Sequence, residues 1–275
     1  VTLRLRLPDT ETELAAFGCS PAHEMTRSLN VLQDVKRHPL HISWALRARA
    51  RMSSALKEET HKYGFWYTDK PLTFPEIWPV SDASSWPEEL TALREAPVEQ
   101  FAAPLIHAAL LSNRRGPRIS HGAFARDEDL RERALSQIEA VHPASVPVMH
   151  ELTTDPERVR ERFAAFLSSY WDACIAPDWP RLEARLLADI TRRGRALSRR
   201  GLTPMLEELS PHVRPDPGSG EIVIQPPRRR NNSDPLNLTM TEHDQIVLVP
   251  SHFVWPELVS VVNRQTHRGG VGRPY

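Results

Sequence analysis

The chain opens with a period-two run, "TLRLRL" at residues 2–7, in which Leu3, Leu5 and Leu7 alternate with polar neighbours; this predicts a β-strand. From Glu11 to about Glu59 the pattern turns helical, broken at Ser20-Pro21 and again within "RHPLHIS", where prolines and a serine punctuate it. Residues 62–87 are rich in proline and aromatic rings without a clear period, and they read as an irregular segment packed by its own rings. Helices are expected at about 87–113 and 127–141, separated by a mobile loop, "SNRRGPRISHGAF". A further loop, "HPASVPVMHELTTDP", leads to Asp155-Pro156, an N-cap with proline at the first helical position.

Beyond Pro156, the residues Val159, Phe163, Phe166, Tyr170 and Cys174 recur at helical spacing, the pattern of one buried stripe with Cys174 as its last member. Pro177 is expected to end this helix, Asp178 to cap the next and Pro180 to occupy its first turn. In that second helix Leu182, Leu186, Ile190 and Leu197 share one face. Arg181, Arg185, Arg192, Arg195 and Arg199 fall close to the opposite face at ~100° per residue. After a stop at Gly201 and a short helical turn, "TPMLEELS", four strand-like runs follow: "EIVIQP", "LNLTMT", "QIVLVP" and "ELVSVVN". Leu236, Leu238 and Met240 alternate with polar residues, so that strand should show one face to a core. The expected fold class is α+β: a mainly helical domain with a small antiparallel sheet built by the C-terminal strands, "TEHDQ" as a hairpin turn, and the N-terminal strand as a candidate member.

With 275 residues, 40% of them hydrophobic, the chain can bury one large core or two moderate ones. Its 35 basic and 35 acidic residues cancel, so no global field draws it toward nucleic acid or membrane. Cys19 and Cys174 are far apart and have no metal or disulfide spacing. No apolar run approaches the ~18 residues that would span a bilayer, and the start has no signal-peptide hydrophobic region. A soluble protein of the reducing cytoplasm, with no membrane partner, is the expectation.

Candidate chemistry adds little. Cys174 stands between two aspartates and two tryptophans, but its place on an apolar stripe predicts burial instead of nucleophilicity. The twelve histidines do not form a metal pattern, since "HEMTR" and "HELTT" begin like a zinc-protease motif and then have no second histidine. "GGVG" has no helix after it to cradle a phosphate. The expectation is no enzyme, no catalytic or metal residues and no cofactor. The segment from Arg181 to Arg200 holds seven arginines against two acids, which is either a solvated face or a stripe that touches phosphates nonspecifically. Around residues 11–34 the rhythm imitates a helix-turn-helix, without a supporting helix before it or a wing after it.

The order "SPAHEMTRSLNVLQD", "RHPLHISWALRAR", "WPEELTALREAP", "YWDACIAPDWPRLEARLLADITRRGRAL", "GLTPMLEELSPHVR" and "IVLVPSHFVWPELVSVVN" resembles one actinobacterial family. These are ArsR-type winged-helix transcriptional regulators that carry a large N-terminal domain of unknown function. The likeness runs from about Leu3 to Asn263 and is most specific at 170–200 and 246–263. It implies a bacterial, cytoplasmic regulator that acts as a homodimer, with this domain as a sensor of a small-molecule effector and DNA read only through the winged helix. It names no metal ligand and no effector. Where the family continues into a winged helix, this chain reads "NRQTHRGGVGRPY", so no recognition helix is assigned and specific operator binding is not expected. Residues 1–263 are taken as the regulator domain and 264–275 as a disordered basic tail.

For a sensor, the effector pocket is expected near the aromatic segment 63–78 facing the proline corner, with Trp44, Phe65, Trp66, Tyr67, Trp171 and Trp179 as its residues. Ordinary core packing of the same rings is the competing expectation. Two rival functions stand beside the sensor: a stand-alone structural or partner-docking module, and a nonspecific nucleic-acid binder using the arginine helix.

Overall fold

The alternating N-terminal run forms β1 (Leu3–Arg6), with Leu3 and Leu5 buried. β1 takes a central place because strands from the far end of the chain cover both its edges. β4 (Glu221–Ile224) pairs with it antiparallel, Leu5 opposite Ile222, and β5 (Leu236–Thr239) pairs parallel, Leu5 opposite Leu238. β3 (Val213–Asp216) lies antiparallel to β4, giving the order β3-β4-β1-β5. The sheet is therefore mixed, not antiparallel as expected. β2 (Ala15–Phe17), expected as helix, pairs parallel with β6 (Ile246–Leu248) in a separate two-stranded sheet, so "TEHDQ" does not join paired strands as a hairpin. In this computed structural model the described residues are 2–8, 14–67, 74, 77–78, 84–110, 119–216, 218–225, 235–241, 244–254 and 258. The expected basic tail, most of "ELVSVVN" and the loop around "RRR" lie outside them.

The helical part is built around α10 (Pro156–Tyr170), started by Asp155, whose carboxylate accepts from Arg158 N–H at 3.1 Å. Its stripe is buried as expected: Val159, Phe163, Phe166 and Tyr170, and Cys174 one turn beyond. Burying each large side chain of this stripe contributes about 1.5–3 kcal/mol. α3 (Ser54–Lys62), α5 (Trp86–Glu95), α6 (Val98–Ala109) and α9 (Val146–Thr154) pack around α10. Pro97 divides α5 from α6 inside the single helix expected at 87–113. α9 replaces the expected loop after His142. Pro147 sits in its first turn, where it costs no hydrogen bond, and Val148, Met149 and Leu152 face the core. α7 (His121–Arg126), capped by Ser120, likewise forms within an expected loop, before α8 (Glu128–Val141).

After α10 the chain makes a π-helical turn, Trp171–Ile175, closed by Ala176 N–H donating to Trp171 C=O at 2.8 Å. α11 (Trp179–Arg200) follows. Asp178 stands at its N-cap position without capping it; its carboxylate instead pairs with Arg51, 3.2 Å away, at the end of α2 (Ile42–Arg51). Gly201, at φ 84°, ends α11, and α12 (Leu202–Glu207) leads to the sheet. Two hydrophobic cores result, a large helical one and a smaller one under the sheet. Leu182 of α11 belongs to the first, and Ala196 and Leu197 pack on the second, so one helix spans both. No helix among the described residues is long and apolar enough to cross a membrane.

Candidate functional site

The aromatic residues expected to line a pocket are placed in separate ring groups. Trp66 is fully buried among Tyr67, Phe74 and Phe163, with the Phe163 ring 4.9 Å away, and the stack continues to Phe101. Phe65 and Tyr67 are buried beside it in α4 (Gly64–Tyr67). Trp171 stacks on Trp86 at 5.3 Å and meets Trp179 at 5.2 Å. Trp44 packs instead on Phe253, 4.4 Å away. The six residues do not converge on one pocket: the rings fill the interior against one another, which is where their area contributes most. Cys174 is also core. Its Sγ lies 3.8 Å from Ala48 C=O, and burial pushes the thiol up to about 12, against the pull of Arg51.

The structure brings together a different set, along α1 (Pro21–Gln33). Ser20 caps this helix, its hydroxyl accepting from His23 N–H at 3.1 Å, and the buried Glu89 carboxylate accepts from Ala22 N–H at 2.6 Å. Ser84 also donates to Glu89, at 2.6 Å. A second buried carboxylate, Glu24, is 1% exposed, and both its oxygens accept from His252 N–H at 3.1 Å. The Ser251 hydroxyl and the Phe253 amide donate to it as well. Burial pushes Glu24 up to about 7, opposed by those donors and by the charge of Arg27, one turn further on and 4% exposed.

Phe253 completes this seam as an apolar plug. Its buried ring lies against Trp44 and the His41 ring, with the His252 ring beside His41 and Phe253. The segment 251–253 is thus held to α1 by hydrogen bonds and to α2 by ring contacts. His252 is pushed down to about 4, mainly by burial, then by His41, Arg185 and Arg181. His23 is pushed down to about 3 by burial, with Arg27 adding to it. Cys19, pushed up to about 11 by burial with Glu24, Glu183 and Glu89 nearby, is no better a nucleophile than Cys174. Among the described residues no three His, Cys, Asp or Glu side chains come together as metal ligands.

The arginine stripe is where the sequence places it. Arg181, Arg185, Arg192, Arg195 and Arg199 are all exposed. Arg192 and Arg193 share Asp189, at 2.6 and 2.7 Å, and Arg200 pairs with Glu208. Arg192, Arg195 and Arg199 border an open depression of about 740 Å³, floored by Ala188 and Ala196.

The sequence reading missed the α1 seam, although one signal was present. Glu24 and Arg27 stand three apart in a helix whose other positions, Met25, Leu29 and Val31, are core residues, so two charges share an element that is buried nearly all round.

Residues 1–269 match a family of unknown function, DUF5937. No curated protein and no solved structure matches the chain.

Proposed function

Because the chain belongs to the DUF5937 family, whose function is unknown, we propose a role for it from its own residues: the regulatory domain of a bacterial ArsR-type transcription regulator, sensing an effector and pairing as a homodimer in the cytoplasm. In this reading the described residues do not read bases. One structural observation supports it beyond the resemblance to actinobacterial regulators. The two blocks that carry that resemblance most specifically each contain a connection between the cores: α11, and the stretch from Leu248 against the sheet core to Phe253 in the helical core. A ligand that repacks one core would thereby bias the other, which is the mechanical requirement of a sensor. Sedimentation of the chain and an electrophoretic shift on its own gene's promoter, competed with random duplex, test the reading. A dimer without site selectivity is expected. A monomer at micromolar concentration, or a selective shift by this chain, overturns it.

A second reading, nonspecific binding of nucleic acid, has its own support in the stripe. Arg181, Arg185, Arg195 and Arg199 are exposed and form no ion pair among the described residues, leaving four cations on one helix for phosphates.

A further inference from the structure

Arg27 is 96% removed from solvent, at 4% exposure, yet its Nε and Nη2 have no hydrogen-bond partner among the described residues. Burial lowers its guanidinium only to about 10, so it is cationic at neutral pH. Glu24 attracts it without bonding to either nitrogen, because the Glu24 oxygens are taken by Ser251, His252 and Phe253. Unpaired donors on a buried charge are among the least favourable arrangements in a protein interior, and native folds keep them where a bound group answers them. The identity of the two nitrogens is informative. Nε and Nη2 are the pair whose N–H bonds run parallel along one side of the guanidinium, the side that takes two oxygens of one planar or tetrahedral anion. A second buried donor without a partner among the described residues, Trp44 Nε1, lies on the other helix that the 251–253 segment touches.

We propose that the seam between α1 and the segment 251–253 is a binding site for a small oxyanion, a carboxylate or a phosphate, held side-on by Nε and Nη2 of Arg27. The site lies at the latch where the C-terminal segment enters the helical core. An anion drawn to Arg27 reduces the pull of that guanidinium on Glu24, and so couples occupancy to the hold on His252. This deepens the sensor reading and rests on it for its meaning, while the binding itself is tested separately.

The experiment is thermal unfolding of the full chain titrated with sodium phosphate, with sodium acetate, and with sodium chloride at matched ionic strength. One of the two oxyanions is expected to raise the midpoint along a saturating curve, where chloride gives none, and the arm that saturates says which oxyanion class fits. Arg27→Met is expected to lose the saturating part and, in chloride alone, to be at least as stable as the parent, because it removes an unpaired buried charge. Arg27→Lys keeps the charge without the parallel donors and is expected to raise the half-saturating concentration at least ~10-fold; it serves if the Met variant does not fold. Identical responses in parent and both variants overturn the site, as does a parent with no saturating response to either anion. A saturating response in a monomeric chain would sink the regulatory reading alone, and a dimer indifferent to both anions would sink the site alone.

Discussion

Replacing Glu24 by Gln isolates the cost of holding a carboxylate in the seam. The Glu24 carboxyl is raised from 4.5 to about 7, first by burial. At ~1.36 kcal/mol per unit, the folded state then disfavours the ionised form by about 3 kcal/mol relative to the protonated one. The folded chain holds this proton more tightly than the unfolded chain. Glu24's contribution is therefore fully present below about 4.5 and lost as pH rises through about 7. Gln cannot ionise, and its amide oxygen still accepts from His252 N–H. Urea unfolding of the parent and Glu24→Gln at a series of pH values from 4.5 to 8 gives the difference curve directly, and it should grow in favour of the variant by about 3 kcal/mol across that range. His23 and His252, lowered to about 3 and about 4, act with the opposite sign: their contributions stand above 6.5 and are lost as pH falls. They are common to both proteins and cancel in the difference. A flat difference curve would refute the reasoning, and a curve that falls with pH would mean that the donors from Ser251 to Phe253 outweigh burial.

Both cysteines, with thiols pushed up to about 11 and about 12, should resist Ellman's reagent at pH 8 in the folded protein and react once urea exposes them; rapid reaction of either in the native state contradicts its burial. Phe253→Ala should cost about 3–5 kcal/mol in urea unfolding and shift tryptophan emission by opening the contact with Trp44, whereas a cost below ~1 kcal/mol would mean that the plug is not part of the core. Replacing Arg185, Arg195 and Arg199 together by Gln should leave stability within ~0.5 kcal/mol per site, since all three are exposed. If the stripe binds phosphates, the same triple variant should weaken retention on random duplex and flatten its salt dependence; a parent that ignores duplex at low salt ends that reading.

What could be read from the sequence was what neighbouring residues decide. The α10 stripe, the Asp155 cap and the Gly201 stop are all signals within one or two helical turns, and each is present in the fold. α9 lies inside the expected loop "HPASVPVMHELTTDP", and its Pro147 occupies a first-turn position where the missing N–H matters least. Strand pairing failed for a different reason. The partners of β1 lie more than two hundred positions away, and nothing in "TLRLRL" states whether an edge will be met by a parallel or an antiparallel neighbour. Ala15–Phe17 carries no alternation of its own and becomes a strand because β6 lies beside it.

The α1 seam is hard to read from the sequence for a related but sharper reason. Tryptophans and a cysteine attract attention as chemistry, yet burying rings and a thiol is favourable by itself, and their packing needs no ligand to account for it. Buried charge is the reverse. "HEMTR" begins like a zinc-protease motif without its second histidine, and its meaning changes only when His252, 228 positions from Glu24, lays its amide on that carboxylate. The hydrogen bonds of Ser251, His252 and Phe253 account for Glu24, and those of Ser84 and Ala22 account for Glu89. They leave the Nε and Nη2 of Arg27 as donors of this buried acid and base cluster that no described residue satisfies. A seam holding two answered carboxylates, Glu24 of α1 and Glu89 of α5, beside one unanswered guanidinium is poorly explained as packing, since an apolar side chain of similar volume would serve packing better. The same arrangement is well explained if the missing partner arrives from solution.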